Sequence, residues 1–198
     1  MAEEPELKPL ENEDPEDTPG YKPPAKKSLD ELKSLDQDDE SLVKYKETLL
    51  KGIDPSAAPK DDPRHVVVQK MTFLCEGRPN FEFDLTGDIS KLKDVVLVVK
   101  EGVEFKIKIE FKVQHDIVSG LRYHHTVSRK SIAVDKQSYM VGSYGPRADT
   151  YEFTCPVDEA PKGMLARGHY NIKSKFIDDD KNVHLAWEWS MDIKKDWA

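Results

Sequence analysis

The sequence has little cysteine, no long apolar run, and neither phenylalanine nor tryptophan in its first 62 residues. Cys75 and Cys155 are too few and too far apart for a disulfide framework or a zinc knuckle, so we expect two buried thiols in the core. Nowhere do 18 apolar residues stand together, and the first residues form neither an apolar nor a basic leader. These absences predict a cytoplasmic protein without a membrane span or a secretion signal.

The residue sets that catalysis requires are also missing. Residues 141–145 (VGSYG) lack the glycine two positions before the serine that a nucleophile elbow needs, and no glycine-rich segment leads into a helix. His124 and His125 are adjacent, so in a strand they point to opposite faces and cannot share one metal ion. Residues 178–180 (DDD) lack the alternating oxygen ligands of a calcium loop and indicate a solvated hairpin turn. We therefore predict a protein that is not an enzyme and has no cofactor or metal.

Charge divides the chain at about residue 62. Residues 1–62 contain 18 Asp and Glu against 9 Lys and Arg, together with 8 of the 13 prolines. Residues 63–198 are nearly neutral, with 21 Lys and Arg against 20 Asp and Glu. An acidic segment of this composition cannot bury enough apolar surface to offset its ordering entropy, so we expect a flexible regulatory arm before one folded domain. The near-neutral charge of the domain predicts no basic face, so we do not expect nucleic acid as a partner.

Within the domain, apolar residues recur at every second position. One segment alternates from Val103 to Val113, and another alternates from Val183 to Ile193, which is typical of strands with one buried face. Turn residues separate further candidate strands at 65–75, 81–86, 94–100, 117–127, 139–143, 151–155 and 164–177. The pattern predicts an all-β fold, an immunoglobulin-like antiparallel sandwich of two sheets, with a closed barrel as the alternative.

The interior of this sandwich admits two interpretations. Trp187 and Trp189 share the dry face of the last strand, and core packing alone would explain them. A glycine in the strand 164–177, Gly168, predicts a bulge that turns Leu165 and Ile172 to the same side. Large aromatic residues beside an interrupted strand also permit a cavity between the sheets.

The arm contains two helix signals. Ser28 and Glu31 form a capping box that predicts a helix near 28–36. Asp38 or Asp39 can cap a second helix near 40–51, in which Leu42, Tyr45 and Leu49 share one face. Helices this short are marginal alone in water, so we expect them to form on a partner.

Several ordered motifs resemble the Rho GDP-dissociation inhibitors. They are spread over both parts of the chain and together cover residues 21–197. The motifs are 21–24 (YKPP), 38–42 (DDESL) with 44–46 (KYK), 84–88 (DLTGD), 117–121 (IVSGL), 140–147 (MVGSYGPR), 161–168 (PKGMLARG) and 187–189 (WEW).

The resemblance implies a function and two sets of site residues. It implies binding of prenylated Rho and Rac-type small GTPases, slower GDP release, and extraction of the GTPase from membranes without stable membrane insertion. The family pattern places the geranylgeranyl lipid on Phe73, Leu97, Phe105, Ile117, Tyr144, Leu165, Ile172 and Trp189. It places the GTPase on Asp39, Ser41, Leu42, Tyr45, Leu49, Asp179 and Asp180.

The sequence departs from the family pattern in three places, and two other functions are conceivable. Phe73 and Leu97 stand where the family has a Leu and a Phe. Residues 124–129 (HHTVSR) carry a His-Thr pair one position early, and residues 77–83 carry Phe81 and Phe83 in place of a proline-rich stretch. One alternative is a general prenyl-lipid carrier similar to the phosphodiesterase delta subunit, and another is an adhesion or scaffold module with a solid core. The two helix signals in the arm favour the GTPase inhibitor, since a carrier has no use for them.

Overall fold

The computed structural model describes residues 39–50, 59 and 61–197. Within these ranges it contains one α-helix, one 3-10 helix and ten strands. Their bounds are α1 (Glu40–Leu50), β1 (Val66–Cys75), β2 (Phe81–Asp84), the 3-10 helix (Ile89–Asp94), β3 (Val96–Lys100), β4 (Glu104–Val113), β5 (Val118–Arg129), β6 (Ile132–Tyr144), β7 (Tyr151–Thr154), β8 (Asp158–Glu159), β9 (Gly168–Ile177) and β10 (Val183–Lys194). In the described part of the chain, no helix is long and apolar enough to cross a membrane.

The strands form two separate sheets. The first has the order β2-β1-β4-β7, with β8 also paired to β4. The second has the order β3-β10-β9-β5-β6, and its β3 and β10 are parallel whereas the other pairs in both sheets are antiparallel. The predicted sandwich is confirmed, and the barrel alternative is wrong because the two sheets do not join.

Alternation along β4 and β10 places their apolar faces in one core. In β4, the side chains of Ile107, Ile109, Phe111 and Val113 are at most 5% exposed. In β10, Trp187 and Trp189 are each 3% exposed. Burial of these large side chains between the sheets supplies the main driving force for the sandwich.

The bulge predicted at Gly168 is wrong. Gly168 begins β9 and pairs opposite Ile193, and the register continues from there to Phe176 without interruption, since the shift in this pair of strands lies at the other end, between Val183 and Leu185. Its φ of 132° is one that L side chains rarely adopt, and the Arg129 guanidinium lies 3.2 Å from where a Cβ would stand. The glycine therefore separates the strand from the preceding turn instead of shifting the side-chain phase within the strand.

The helix predicted near 40–51 is present as α1. Asp39 is its N-cap, because the carboxylate accepts hydrogen bonds from the backbone amides of Ser41 at 2.9 Å and Leu42 at 3.2 Å. The helix predicted near 28–36 lies outside the described residues.

Candidate functional site

A cavity of about 580 Å³ opens between the two sheets at one end of the sandwich. Phe105 and Ile107 of β4 form one wall, and side chains of β5, β9 and β10 form the other, with Ile172 and Trp189 among them. This volume lies within the roughly 300–1,000 Å³ that small-molecule pockets usually have. The cavity interpretation of the interior is therefore the one that the structure supports.

The mouth of the cavity is recognised from its exposed lining residues. Lys130, Ile132, Glu159, Pro161 and Leu165 line the cavity and are all exposed to solvent. The opposite wall is deeply buried, with Ile172 at 1% and Trp189 at 3% exposure. A ligand would therefore enter between the β5–β6 connection and the segment that precedes β9.

Six of the eight predicted lipid residues lie at this end of the sandwich. Phe105, Leu165, Ile172 and Trp189 line the cavity directly. Phe73 lies behind Phe105, with its ring stacked at a centroid distance of 4.7 Å. Leu97 is wholly buried and pairs in register with the lining residue Met191.

The other two predicted lipid residues lie apart from the cavity. The ring of Tyr144 lies 5.2 Å from that of Phe111, and its hydroxyl donates to the carbonyl of Val141 at 2.9 Å. Ile117 directly precedes β5, whose first residue, Val118, pairs with Tyr144. Phe111 and the lining residue Phe105 are six positions apart on one strand, or about 20 Å.

A buried hydrogen-bond network fixes the indole of Trp189. Its Nε1 donates to the hydroxyl of Ser174 at 3.0 Å, and the same hydroxyl lies 3.0 Å from the hydroxyl of Tyr123. Burial raises the pKa of Tyr123 far above its usual range, so its hydroxyl stays neutral. Because its single polar atom is satisfied behind the wall, Trp189 can present an apolar ring face to the cavity.

His125 is a lining residue that the sequence interpretation missed. It is 6% exposed, and its Nδ1 has no hydrogen-bond partner among the described residues. Burial lowers its pKa, against the opposing influence of the carboxylates of Asp135 and Asp158. Its position is readable from the alternation in β5, where Tyr123, His125 and Val127 all face inward.

The mouth carries a tightly held turn at residues 163–166, called here the 163–166 turn. Its closing hydrogen bond runs from the amide of Ala166 to the carbonyl of Gly163 at 3.0 Å. Arg129 donates to the carbonyls of Leu165 and, at 2.7 Å, Arg167. Glu101 pairs with Arg167 at 2.7 Å and accepts from the amide of Gly163 at 3.0 Å. Hydrogen bonds from Arg167 hold the pKa of Glu101 below its usual range, so Glu101 stays ionised and continues to bind the turn.

At the other end of β9, residues 178–182 form a second turn, called here the 178–182 turn. The buried carboxylate of Asp178 accepts from His184 Nε2 at 2.9 Å and from the amide of Asn182 at 2.8 Å. Burial alone would raise the pKa of Asp178, but the hydrogen bonds from His184 and Asn182 outweigh it and lower the pKa. Asp178 is therefore a structural anchor, in contrast to the solvated turn expected from the sequence.

The two predicted GTPase-binding residues of the domain, Asp179 and Asp180, follow Asp178 directly in the 178–182 turn. Asp179 is exposed and lies 3.5 Å from the guanidinium of Arg122, and its amide donates to the carbonyl of Ser119 at 3.2 Å. Asp180 is half-buried beside it. Since β9 spans ten residues, this turn lies about 30 Å from the 163–166 turn.

The five predicted GTPase residues of the arm lie on or beside α1. Ser41 and Leu42 are exposed, and Leu42 keeps 42% of its surface in solvent. Asp39 caps the helix, as described above. Tyr45 and Leu49 belong to α1, but their side chains lie outside the described part of the chain.

Both cysteine thiols are less acidic than a free thiol. Burial raises the pKa of the Cys155 thiol to about 12, and it also raises the pKa of the half-buried Cys75. Across residues 39–50, 59 and 61–197, no three His, Cys, Asp or Glu side chains are placed to hold a metal ion.

Comparison with known proteins gives consistent similarities over nearly the whole chain. The family profile described as "RHO protein GDP dissociation inhibitor" matches residues 6–196. The human protein "Rho GDP-dissociation inhibitor 1" is 56% identical over 188 residues, which are 94% of this chain and 91% of that protein. The human protein "Rho GDP-dissociation inhibitor 3" is 50% identical over 183 residues, which are 92% of this chain and 80% of that protein.

Proposed function

The chain belongs to the family of Rho GDP-dissociation inhibitors, and from this premise we propose that it binds prenylated Rho and Rac-type GTPases and slows their release of GDP. It shelters the geranylgeranyl tail and carries the GTPase from the membrane into the cytosol. The observation that carries this proposal is the apolar cavity between the sheets, lined by Phe105, Leu165, Ile172 and Trp189.

Lipid burial alone does not explain extraction from a membrane. A tail of twenty carbons gains at most about 15 kcal/mol on moving from water into an apolar cavity, at about 0.8 kcal/mol per methylene. The bilayer interior provides nearly the same gain. Net extraction therefore needs further contacts with the folded part of the GTPase.

The proposed domain organisation supplies these contacts. Residues 1–62 act as the regulatory arm, in which Asp39 caps α1 and the helix offers Ser41, Leu42, Tyr45 and Leu49 to the GTPase. Residues 63–198 act as the prenyl-binding domain. Linkage of the two parts makes the second contact intramolecular, at an effective concentration of about millimolar for a short flexible tether. Affinity then rises without tighter individual contacts.

The slower GDP release follows because binding of the arm orders the switch loops of the GTPase. When α1 packs on the mobile switch loops of the GTPase, the open states through which nucleotide and Mg²⁺ leave become rarer. No bond is made or broken in the process. The inhibition therefore requires the arm, whereas the lipid cavity contributes affinity for the prenylated form.

The geometry of the domain suits a GTPase with a flexible lipidated tail. Asp179 and Asp180 contact the globular part at one end, and the tail reaches the cavity about 30 Å away along β9. An extended segment of about ten residues spans that distance. The tightest binding therefore uses both the folded GTPase and its prenylated segment.

The general prenyl-lipid carrier is not favoured. Its binding would need only residues 63–198, whereas the family match begins at residue 6 and includes most of the arm. The most informative test is a GDP-release assay with one Rho protein in prenylated and unprenylated forms.

The intact chain should slow GDP release strongly for the prenylated form and weakly for the unprenylated form. A variant that lacks residues 1–55 should lose this inhibition while it still binds a geranylgeranylated peptide. Full inhibition by the shortened variant would refute the role given to the arm, and failure of the intact chain to inhibit would refute the function.

A further inference from the structure

We propose that the 163–166 turn is a membrane-contact element that touches the bilayer surface while the prenyl tail passes into the cavity. The occupant of this surface is a phospholipid membrane with anionic headgroups. The inference rests on the proposed function and adds the route by which the lipid enters. The contact is transient, since the protein leaves with its cargo.

Met164 and Leu165 are the first reason. They are 79% and 67% exposed, the two highest values among the exposed large apolar side chains of the described residues. They are adjacent at the tip of one turn, and Ile132, which is 36% exposed, lines the same mouth as Leu165. Contiguous exposed apolar side chains at the entrance of an apolar cavity are typical of a site that meets another apolar phase.

The turn is held in this exposed position by its own contacts. Arg129 binds the carbonyls of Leu165 and Arg167, and Glu101 binds Arg167 and the amide of Gly163. These bonds involve backbone groups and charged side chains on the inner side of the turn. The backbone of the turn is therefore fixed while the side chains of Met164 and Leu165 stay exposed, in a position from which they can enter a headgroup layer.

The basic side chains that fit an anionic surface lie beside the turn and not on it. The cavity rim itself is balanced, since it carries acidic and basic side chains in similar number. At the turn itself, Lys162 pairs with Glu159 at 3.1 Å and Arg167 pairs with Glu101, so these charges balance. The outer face of the second sheet carries net positive charge, because four lysines and one glutamate line it, and Lys173 pairs with that glutamate, Glu188, at 3.2 Å. These residues are Lys93, Lys136, Lys173, Lys175 and Glu188.

This basic face is continuous with the mouth. Lys136 and Lys173 both pair in register with Thr126, which is three residues from Arg129, or about 10 Å along β5. The exposed Lys130 directly follows Arg129 and lies at the cavity rim. Lysines near a cytoplasmic leaflet are attracted to its anionic lipids, which would orient the mouth toward the bilayer.

Passage through water would make extraction slow. The tail is equally stable in bilayer and cavity, but every methylene that crosses water between them raises the barrier. A mouth that touches the headgroup layer removes most of that gap. The 163–166 turn therefore acts on the rate of transfer, whereas the cavity walls act on the affinity.

Met164 allows a clean test, because it lies on the turn but does not line the cavity. Met164→Gln keeps the length of the side chain and removes its apolar character. Met140→Gln is the matched control, since Met140 is 54% exposed on β6, away from the cavity. Three quantities are measured for each variant: affinity for a soluble geranylgeranylated peptide, affinity for an unprenylated Rho protein, and the rate of extraction of the prenylated protein from vesicles of phosphatidylcholine with phosphatidylserine.

The expected result is about tenfold slower extraction by Met164→Gln, with both affinities unchanged, and a parental rate for Met140→Gln. Equal extraction rates for the parent and both variants would overturn the proposal. A fall in peptide affinity that matches the fall in rate would overturn it too, because the turn would then be a cavity wall. Weaker binding of the unprenylated protein would identify the turn as a GTPase contact.

Direct insertion gives an independent readout. An environment-sensitive dye on Met164→Cys, in a background with Cys75→Ser, should shift to the blue on vesicles that contain phosphatidylserine, and the same dye on Met140→Cys should not. The absence of a shift at Met164→Cys would overturn the membrane contact. Failure of the parent to bind the prenylated peptide would instead refute the proposed function, since dye insertion requires no cargo.

Discussion

The carboxylate of Asp179 occupies the space in which a side chain on Gly120 would stand. A Cβ built on Gly120 would lie far inside van der Waals contact with both carboxylate oxygens, and the glycine has a φ of 60°. The backbone amide of Asp179 also donates to the carbonyl of Ser119. The motif at residues 117–121 therefore has a physical role, which is to seat the 178–182 turn against the start of β5.

Replacement of Gly120 by alanine should displace Asp179. We expect Gly120→Ala to lower the free energy of unfolding by about 1–3 kcal/mol, since both the positive φ and the clash oppose it. Affinity for an unprenylated Rho protein should fall as well. Urea denaturation and a binding titration measure the two effects, with Gly87→Ala as control because nothing lies within 4 Å of a Cβ there. Unchanged binding by Gly120→Ala would remove Asp179 from the GTPase contacts.

A larger side chain inside the cavity should exclude the lipid. Ile172 lines the cavity and is 1% exposed, so Ile172→Trp directs added volume into empty space rather than into packed core. If the indole displaces about three methylenes of the tail, affinity falls about fiftyfold. A fluorescent geranylgeranylated peptide measures the loss, and a urea midpoint close to that of the parent confirms the fold. Parental affinity in a folded variant would place the lipid elsewhere.

The sequence predicted the sandwich because its strands each bury one face. The alternation from Val103 to Val113 reports burial at every second residue, and local periodicity is sufficient to reveal it. The parallel pairing of β3 with β10 and the two-residue β8 could not be predicted in this way. Both depend on contacts between segments that are distant in the chain.

The cavity was harder to predict from the sequence than the residues that line it. Trp189 and Phe105 were placed on buried faces by periodicity, but an empty volume has no residue of its own in the sequence. Leu165 was expected on a strand and lies instead on the 163–166 turn, because the backbone at Gly168 ends the turn and begins β9. His125 was considered only as a metal ligand. Its position in β5, two residues from the buried Tyr123 and Val127, already indicated that it faces inward.

The buried imidazole of His125 should make stability depend on pH. Burial lowers its pKa below the ordinary value of 6.5, so the unfolded chain takes up a proton at a higher pH than the folded protein does. The unfolded state then binds more protons, and the free energy of unfolding falls as pH decreases below about 6.5, by at most about 1.4 kcal/mol per pH unit. Asp178 affects stability at lower pH. Its lowered pKa contributes to the free energy of unfolding, and this contribution is lost only as pH falls below about 4.

Urea denaturation at several pH values between about 7.5 and 5 measures this effect. His125→Gln removes the titrating ring, so its stability should change less over that interval than the stability of the parent. A parental pH profile in His125→Gln would mean that another group is responsible.

The two oxygens of Asp39 allow its capping role to be separated from a direct contact with the GTPase. Both capping hydrogen bonds, from the amides of Ser41 and Leu42, end on Oδ1, so capping requires one oxygen and no charge. Asparagine caps helices as well as aspartate does, whereas alanine in place of a cap costs about 1 kcal/mol. We therefore expect Asp39→Ala to weaken the inhibition of GDP release about fivefold and Asp39→Asn to retain most of it. GDP-release rates at graded inhibitor concentrations measure both variants. If asparagine proved as damaging as alanine, the negative charge itself would be the contact, and α1 would bind through Asp39 directly.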